Sequence, residues 1–404
     1  MNKSTFFSGQ PVLSQLIQII PQSLLAHLAT THKADRYYKT FRSRDHLISM
    51  LYACFHNCTS LREVTTGLEA SYNKLFHLKI NNIPRRSTLA DANKRRPVAF
   101  FEDLYHQLYA LYYKHLPDSR KKKSREERLF IMDSTTVTLF SDCMKGAGSY
   151  KADGRKKGGV KAHVLLNAKD DLPQLIDLTD GARNDRTFMS QVSLKKADIL
   201  VFDKGYHHFA QWQKWTQAGI NWVTRLIGTE VYTVLEERPV DADQRKKGVL
   251  SDQRIFLGRG TNKSTQRITV RLVTFFDSIQ QKTFQFLANN FRFKATTVAS
   301  LYEDRWQIET FFKRFKHSSP IRYFLGDNEN AIKIQLWCAF IKDLLIKVVK
   351  DQLTKSWAFA NISSMIRHHL MNYIDLFHFL NNPEKIREAM RRTHQGPQLH
   401  LFPT

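Results

Sequence analysis

Apolar residues recur at helical spacing through the N-terminal region: Leu13, Leu16, Ile17 and Ile20, then Leu47, Met50, Leu51, Cys54 and Phe55, and again between Phe100 and Tyr113. This periodicity predicts a helical stretch over residues 1–117. From residue 129 the pattern changes. Leu129, Phe130, Ile131 and Met132 form an unbroken apolar run that passes through Asp133 into β-branched residues, the mark of a buried strand. Residues 159–166 read as a further strand, 199–202 as another that ends at Asp203, and 220–226 as the next, with helices expected at 184–195 and 208–218. Alternation over 229–291, clearest at 267–276 and 283–287, predicts an inserted β-rich subdomain. Helical spacing returns at 302–316, 330–350 and 358–380.

The helix expected at 302–316 has two distinct sides. At 100° per residue Tyr302, Arg305, Glu309 and Lys316 fall within roughly 60° of one another, while Ile308, Phe311, Phe312 and Phe315 gather beside them as a packing face. A carboxylate flanked by Arg and Lys suits a site that holds a divalent cation and grips a phosphate chain. Taken alone, the same pattern also describes an amphipathic helix with ion pairs such as Glu309 with Lys313. Two upstream carboxylates change the balance. Asp133 and Asp203 each stand where an apolar strand ends, the edge at which α/β sheets build their sites. Either one alone is also a turn or helix-capping residue.

The order Asp133, Asp203, Glu309, with the spacing Tyr302-x2-Arg305-x3-Glu309-x6-Lys316, resembles the DDE transposases of the IS4 family of bacterial insertion sequences. The run Asp203-Lys-Gly-Tyr206, the strand at 159–164 and the segment 180–185 support the likeness, which covers residues 125–345. The N-terminal part also resembles the helical leader of some members. The resemblance implies an α/β fold: an RNase H-like catalytic core at 118–228 and 292–350, interrupted by the β-rich insertion at 229–291. A helical N-terminal DNA-binding domain at 1–117 precedes it and a C-terminal helical region at 351–404 follows. Such a core brings three carboxylates together across separations of 70 (203 − 133) and 106 (309 − 203) residues. The resemblance further implies two Mg2+ ions, for which Mn2+ substitutes, with Asp133 bridging both, Asp203 holding one and Glu309 the other. Tyr302, Arg305 and Lys316 would clamp phosphates beside the scissile bond. Trp306 would stack on an unpaired base or pack against the inserted subdomain. The implied activity is cleavage of double-stranded DNA at terminal inverted repeats and strand transfer into target DNA by a homodimer in a synaptic complex. The competing functions are a nuclease or resolvase that never joins ends, and a DNA-binding regulator without catalysis.

Charge narrows the partner. Among 404 residues, 62 Lys and Arg oppose 37 Asp and Glu, a net charge of +25, which calls for a polyanion such as DNA, with a ribosomal or membrane surface as the alternative. Within the leader, 60–68 followed by a basic segment at 83–96 predicts a short helix, a turn and a basic helix capped by Ser87, compatible with a helix-turn-helix reader. Arg85, Arg86, Asn93, Lys94, Arg95 and Arg96 are the expected DNA contacts. The charged run 117–128 reads as a linker, and the glycine-bearing loop 145–157 as a DNA contact or a hairpin tip. No apolar run approaches the ~20 residues that span a bilayer, and the N-terminus lacks a signal-peptide pattern, so a cytoplasmic, nucleoid-associated protein is expected. The four cysteines, Cys54, Cys58, Cys143 and Cys338, are scattered and imply no disulfide framework. His163 and His207 receive no role.

Overall fold

The computed structural model describes residues 9–113, 128–139, 158–183, 185–258, 268–319, 321 and 323–384. The linker residues 117–127, the loop 145–157, Cys143 and Asn184 lie outside the described residues. The chain divides into two compact units, Met1–Pro117 with Arg314–Thr404, and Asp118–Lys313. This division differs from the expected four-part layout in two places. It groups the C-terminal helices with the leader, and it leaves no separate insertion at 229–291.

Among the described residues six α-helices come first: α1 (Val12–Gln18), α2 (Gln22–Thr31), α3 (Ser43–His56), α4 (Leu61–Ala70), α5 (Arg86–Arg95) and α6 (Val98–Tyr113). The sheet unit follows with β1 (Leu129–Thr138), β2 (Gly159–Asn167), β3 (Leu172–Asp180), α7 (Arg186–Met189), β4 (Ile199–Phe202), α8 (Phe209–Gln217) and β5 (Asn221–Arg225). It continues through β6 (Tyr232–Glu237), α9 (Ala242–Lys246), β7 (Val249–Leu257), β8 (Ile268–Asp277), β9 (Lys282–Ala288), α10 (Ala295–Glu303) and α11 (Trp306–Ser318). The chain closes with α12 (Glu329–Asp351), α13 (Phe359–His369) and α14 (Leu376–Asn381). The helix expected at 358–380 is therefore two helices, because Asp375 accepts from His378 N at 2.9 Å and starts a new one.

In the helical unit α12 is buried on nearly every side, as an apolar helix without a polar stripe must be, and it packs against α3, α5, α6 and α13. Lys342 on α12 is buried, donates to the carbonyls of Cys54 and Ser318, and has its pKa lowered to about 8 by burial. Among the described residues no single helix is long and apolar enough to cross a membrane; α1 and α2 pass such a test only as a pair bent by 67°. Their apolar side chains Leu13, Leu16, Ile17, Leu25 and Leu28 are buried.

Four expectations about the leader give way. Between α4 and α5 lies a 3-10 helix, Tyr72–Leu78, rather than the short turn of a helix-turn-helix. The cap of α5 is Arg85, with no side-chain hydrogen bond, so Ser87 does not cap it. Arg96 is no DNA contact either, for it is 0% exposed. Pro97 holds the residue before it in extended backbone, φ −69° and ψ 138°, which turns Arg96 inward. There its guanidinium donates to Ala34 O at 3.0 Å, Arg42 O at 3.3 Å and Phe41 O at 2.8 Å. Asn93 is buried as well, paired with His46 Nε2 at 2.6 Å. Arg85, Arg86, Lys94 and Arg95 remain exposed, Arg95 in an ion pair with Asp91.

The sheet unit is built on one nine-stranded sheet in the order β3-β2-β1-β4-β5-β9-β8-β7-β6. Its first five strands, with β2 antiparallel to β1 and β3, and β1, β4 and β5 parallel, form the expected RNase H-like part. β4 is buried at all four positions, as a central parallel strand covered on both faces should be. The strands of 229–291 continue this sheet, because β9 pairs with β5 through Val223 and Ala288. The helix expected at 184–195 shrinks to α7.

One buried ion pair fastens the second half of the sheet to the helices that follow. Arg271 on β8, 1% exposed, meets Asp252 on β7 through two bonds of 2.8 and 2.7 Å, and donates also to the carbonyls of Asn290 and Phe293, just before α10. Removing one member of such a pair strands the other charge in a dry interior. Arg271→Met is expected to cost about 3–5 kcal/mol of unfolding free energy in urea. Glu236→Ala, which cuts the exposed 3.8 Å pair with Arg254, leaves the midpoint where it was.

Candidate active site

Asp133 follows four fully enclosed residues of β1, and Asp203 follows the last residue of β4. These strands are parallel neighbours in the register Met132 to Phe202, so the two aspartates come side by side where the β1–β4 pairing stops; β4 ends there, whereas β1 runs on against β2 to Thr138, so Asp133 is a mid-strand residue and not the strand-end residue expected. Local hydrogen bonds hold each one. Ser134 N donates to Asp133 Oδ1 at 2.8 Å, Gly205 N donates to Asp203 Oδ2 at 3.2 Å, and Tyr206 N closes a turn onto Asp203 O at 3.0 Å. That turn is pinned from below by Trp212 of α8, whose Nε1 donates to Tyr206 O at 3.2 Å. Trp212 in turn packs against Phe202 and Trp222 in the core under the strand ends.

Glu309 lies in the first turn of α11 and is tied to Asp133 through one side chain. Arg305 donates from Nη2 to Glu309 Oε1 at 2.8 Å and from Nη1 to Asp133 Oδ2 at 3.3 Å. A planar guanidinium spans two acceptors in this way where an ammonium could not. The carboxyl of Asp133 is pushed up to about 6, first by burial, with the negative charges of Asp203 and Glu309 acting in the same direction against Ser134 N and Arg305. All three predicted carboxylates thus belong to one electrostatic cluster. Among the described residues no three Asp, Glu, His or Cys side chains already stand as a cluster closed around one ion. The fork of Arg305 takes up acceptor positions between Asp133 and Glu309.

The single helix expected at 302–316 is interrupted. Arg305, Gln307 and Ile308 bond to carbonyls three residues back rather than four, at 3.1, 3.0 and 3.2 Å, and the chain passes from α10 to α11 there. The wheel drawn for one helix therefore misplaces Tyr302. Its ring is buried, 5.0 Å from that of Phe286, its hydroxyl is pushed up to about 12 chiefly by burial, and the Arg305 guanidinium lies 5.5 Å from its centroid. Tyr302 thus lies buried beside Arg305, at the wall of the groove that Trp306 borders. Trp306, by contrast, is 52% exposed. It borders a groove of about 740 Å3 whose walls include Arg225, Lys282, Phe284, Phe286 and Arg305. Ile308, Phe311, Phe312 and Phe315 are buried as the packing face. Lys316, further along α11, belongs to the helical unit, where it is half-buried with its pKa lowered by burial.

Sequence reasoning missed a charged group beside the aspartates. Asp185 Oδ1 lies 2.5 Å from Lys161 Nζ, 3.3 Å from Ser134 Oγ and 3.4 Å from His163 Nδ1. His163 is fully buried, its Nε2 3.1 Å from Thr179 Oγ1, and burial lowers its pKa. A Cβ on Gly205 would stand 3.6 Å from Asp203 Oδ2 and 3.9 Å from Asp185 Oδ2, so Gly205 faces both carboxylates. The signal was the alternation of Lys161 and His163, which places both on one face of β2. His207 is engaged elsewhere, bonded to Glu230.

Residues 124–341 match the family described as "Transposase DDE domain", and residues 8–81 match a domain of unknown function, DUF4372. The chain is 32% identical to the Sinorhizobium fredii protein named "Putative transposase y4zB", over 79% of this chain and 86% of that one. It is 26% identical to the Geobacillus stearothermophilus protein named "Probable transposase for insertion sequence element IS5377", over 88% of each. A solved piggyBac transposase synaptic complex with hairpin DNA aligns over 99% of this chain and 85% of that one, at 10% identity and a TM-score of 0.43, too distant to carry an argument. A match to more than half of the chain, over the span that holds Asp133, Asp203 and Glu309, makes this protein a member of the DDE transposases, enzymes that cleave DNA and transfer its strands.

Proposed function

We propose that this transposase moves an insertion sequence by a cut-and-paste route, cutting at the terminal inverted repeats and joining the freed 3′-hydroxyls to target DNA, with Asp133, Asp203 and Glu309 as its catalytic carboxylates. The observation that carries this reading is the parallel register of β1 and β4, which sets two aspartates side by side, with Glu309 drawn to them through Arg305. Hard oxygen donors of this kind suit Mg2+, and Mn2+ after it. Burial raises the Asp133 carboxyl first, with smaller contributions from Asp203 and Glu309, and a divalent cation would favour its ionised form. A bound pair of ions would supply activation of the attacking oxygen and stabilisation of the leaving one.

The chain's own residues do the rest. Asp133, whose charge couples to both Asp203 and Glu309, would touch both ions, with Asp203 and Glu309 taking one each. Arg305 spaces Asp133 from Glu309 and carries a buried Nε with no hydrogen-bond partner among the described residues, a donor suited to a phosphate oxygen. Tyr302 holds Arg305 in place. Lys316, with the exposed Arg85, Arg86, Lys94 and Arg95, serves the DNA backbone. Trp306 offers an exposed ring beside an aromatic, cationic groove, the surface on which an unpaired base stacks. The protein works on double-stranded DNA as a homodimer joining two element ends, in the bacterial cytoplasm at the nucleoid.

In a plasmid excision and integration assay, Asp133→Asn, Asp203→Asn and Glu309→Gln should each lower joining by about a thousandfold, the rate equivalent of the several kcal/mol supplied by a metal-held phosphoryl centre. Undiminished joining by these variants sinks the assignment. A protein that cuts DNA with Mg2+ yet never joins ends is a nuclease instead. Trp306→Ala should slow excision by roughly 10- to 100-fold, matching the ~1–3 kcal/mol of base stacking, and Trp306→Phe should recover most of it. Wild-type excision by Trp306→Ala would remove the stacking role.

A further inference from the structure

We infer that the loop joining α2 to α3, residues 33–42, is a DNA-gripping knuckle: its outer side takes duplex phosphates, and Tyr37 lies against the sugar–base edge. The inference rests on the reading that the chain acts on DNA, and it gives a role to part of the stretch 8–81 that matches a domain of unknown function.

The loop has two sides with opposite chemistry. Ala34 and Phe41 are buried and Tyr38 is half-buried, whereas Lys33, Arg36, Tyr37, Lys39 and Arg42 are exposed. Arg96 fixes this division. Its buried guanidinium takes the carbonyls of Ala34, Phe41 and Arg42, and its carbon lies 4.2 Å from the Tyr38 ring centroid. The loop is thereby held at both ends and along its inner side, so the backbone that carries its outer cations is ordered before binding and only their side chains remain to be immobilised. Asp35 is turned inward and spent on Ser43, bonding its N at 2.5 Å and its Oγ at 3.1 Å. Lys33, Lys39 and Arg42 make no ion pair among the described residues. Four outward cations in ten residues, with the only acid withdrawn, form a surface for a polyanion.

Tyr37 adds the second observation. It is 87% exposed and adopts φ +69°, a left-handed conformation that bulky side chains rarely take. The fold gains little packing from so exposed a ring, over which the Arg36 guanidinium lies at 4.8 Å. Strain at a residue that does nothing for the core points outward, to a ligand. A flat ring beside cations matches the alternation of phosphate and sugar–base surface along DNA, whereas an acidic peptide would supply the charge without the flat face.

The test uses the full-length protein and two fluorescein-labelled duplexes, one carrying an element end and one of unrelated sequence, titrated with salt. The triple variant Arg36→Ala, Lys39→Ala, Arg42→Ala should lower the slope of log K against log salt by about 2–3 on both duplexes, close to 0.9 per lost phosphate contact. Tyr37→Gly should raise the thermal midpoint, by relieving the left-handed strain, and yet weaken binding roughly fivefold or more with the slope unchanged. A merely structural tyrosine would move stability and binding together. An unchanged slope in the triple variant, or wild-type affinity in Tyr37→Gly, overturns the inference, as does a triple variant that loses an acidic peptide but keeps its DNA slope. These outcomes are separable from the catalytic reading, because Asp133→Asn should abolish joining while keeping the full slope.

Discussion

Bringing carboxylates of like charge to one point is unfavourable, and everything in the sheet unit can be understood as holding that arrangement in place. Asp133 and Asp203 have no freedom to separate, because β1 and β4 are locked in parallel register with their apolar runs enclosed on both sides. Glu309 comes from a helix and needs a tether, which is Arg305. Its guanidinium offsets part of the repulsion and sets the spacing of the two acids it spans. Burial, with a smaller push from Asp203 and Glu309, still leaves Asp133 with a raised proton affinity. The protein maintains this excess of negative charge by rigidity: the strand ends rest on a core of Trp212, Trp222 and Phe202, and α10 is moored through the buried Arg271 with Asp252.

Arginine has two uses in this chain, and burial separates them. Arg271 and Arg96 are almost wholly enclosed, each donating to several main-chain carbonyls, a task for which a fork of five donors is suited. Both organise loops, the one before α10 and the one after α2. The outward cations on α5 and on the 33–42 loop have no such internal duty. A net charge of +25 therefore says that the chain favours a polyanion without saying where, since some of its most conspicuous basic residues are structural.

Much of the site was legible from strand ends. An apolar run that stops at an aspartate placed Asp203 just past the end of β4, but the same pattern did not show that β1 continues through Asp133 to Thr138 in its pairing with β2. Glu309 was legible from a packing face whose members, Ile308, Phe311, Phe312 and Phe315, are buried. What could not be read was a matter of local backbone choice or distant pairing. Nothing between Tyr302 and Trp306 is a Gly or Pro, so the shift to three-residue bonds leaves no mark in composition. The inward turn of Arg96 depends on carbonyls contributed from some sixty residues earlier, and an arginine in a basic run looks the same either way. Likewise, alternation over 229–291 identifies strands but cannot say that β9 joins the edge of β5.

The interruption before α11 has a functional consequence. In one continuous helix Tyr302 and Arg305 would share a face with Glu309, and Trp306 would sit on its flank. The tightened turn instead sinks Tyr302 against Phe286 and leaves Trp306 exposed at the groove, with Arg305 between them, 5.5 and 5.8 Å from their rings. A cation held between a buried ring and an exposed one has little lateral freedom, so its two bonds to Asp133 and Glu309 fall where the backbone sets them. The same few residues thus orient a guanidinium toward the acids and an indole toward the groove, which couples the geometry of the carboxylates to the surface on which DNA would be received.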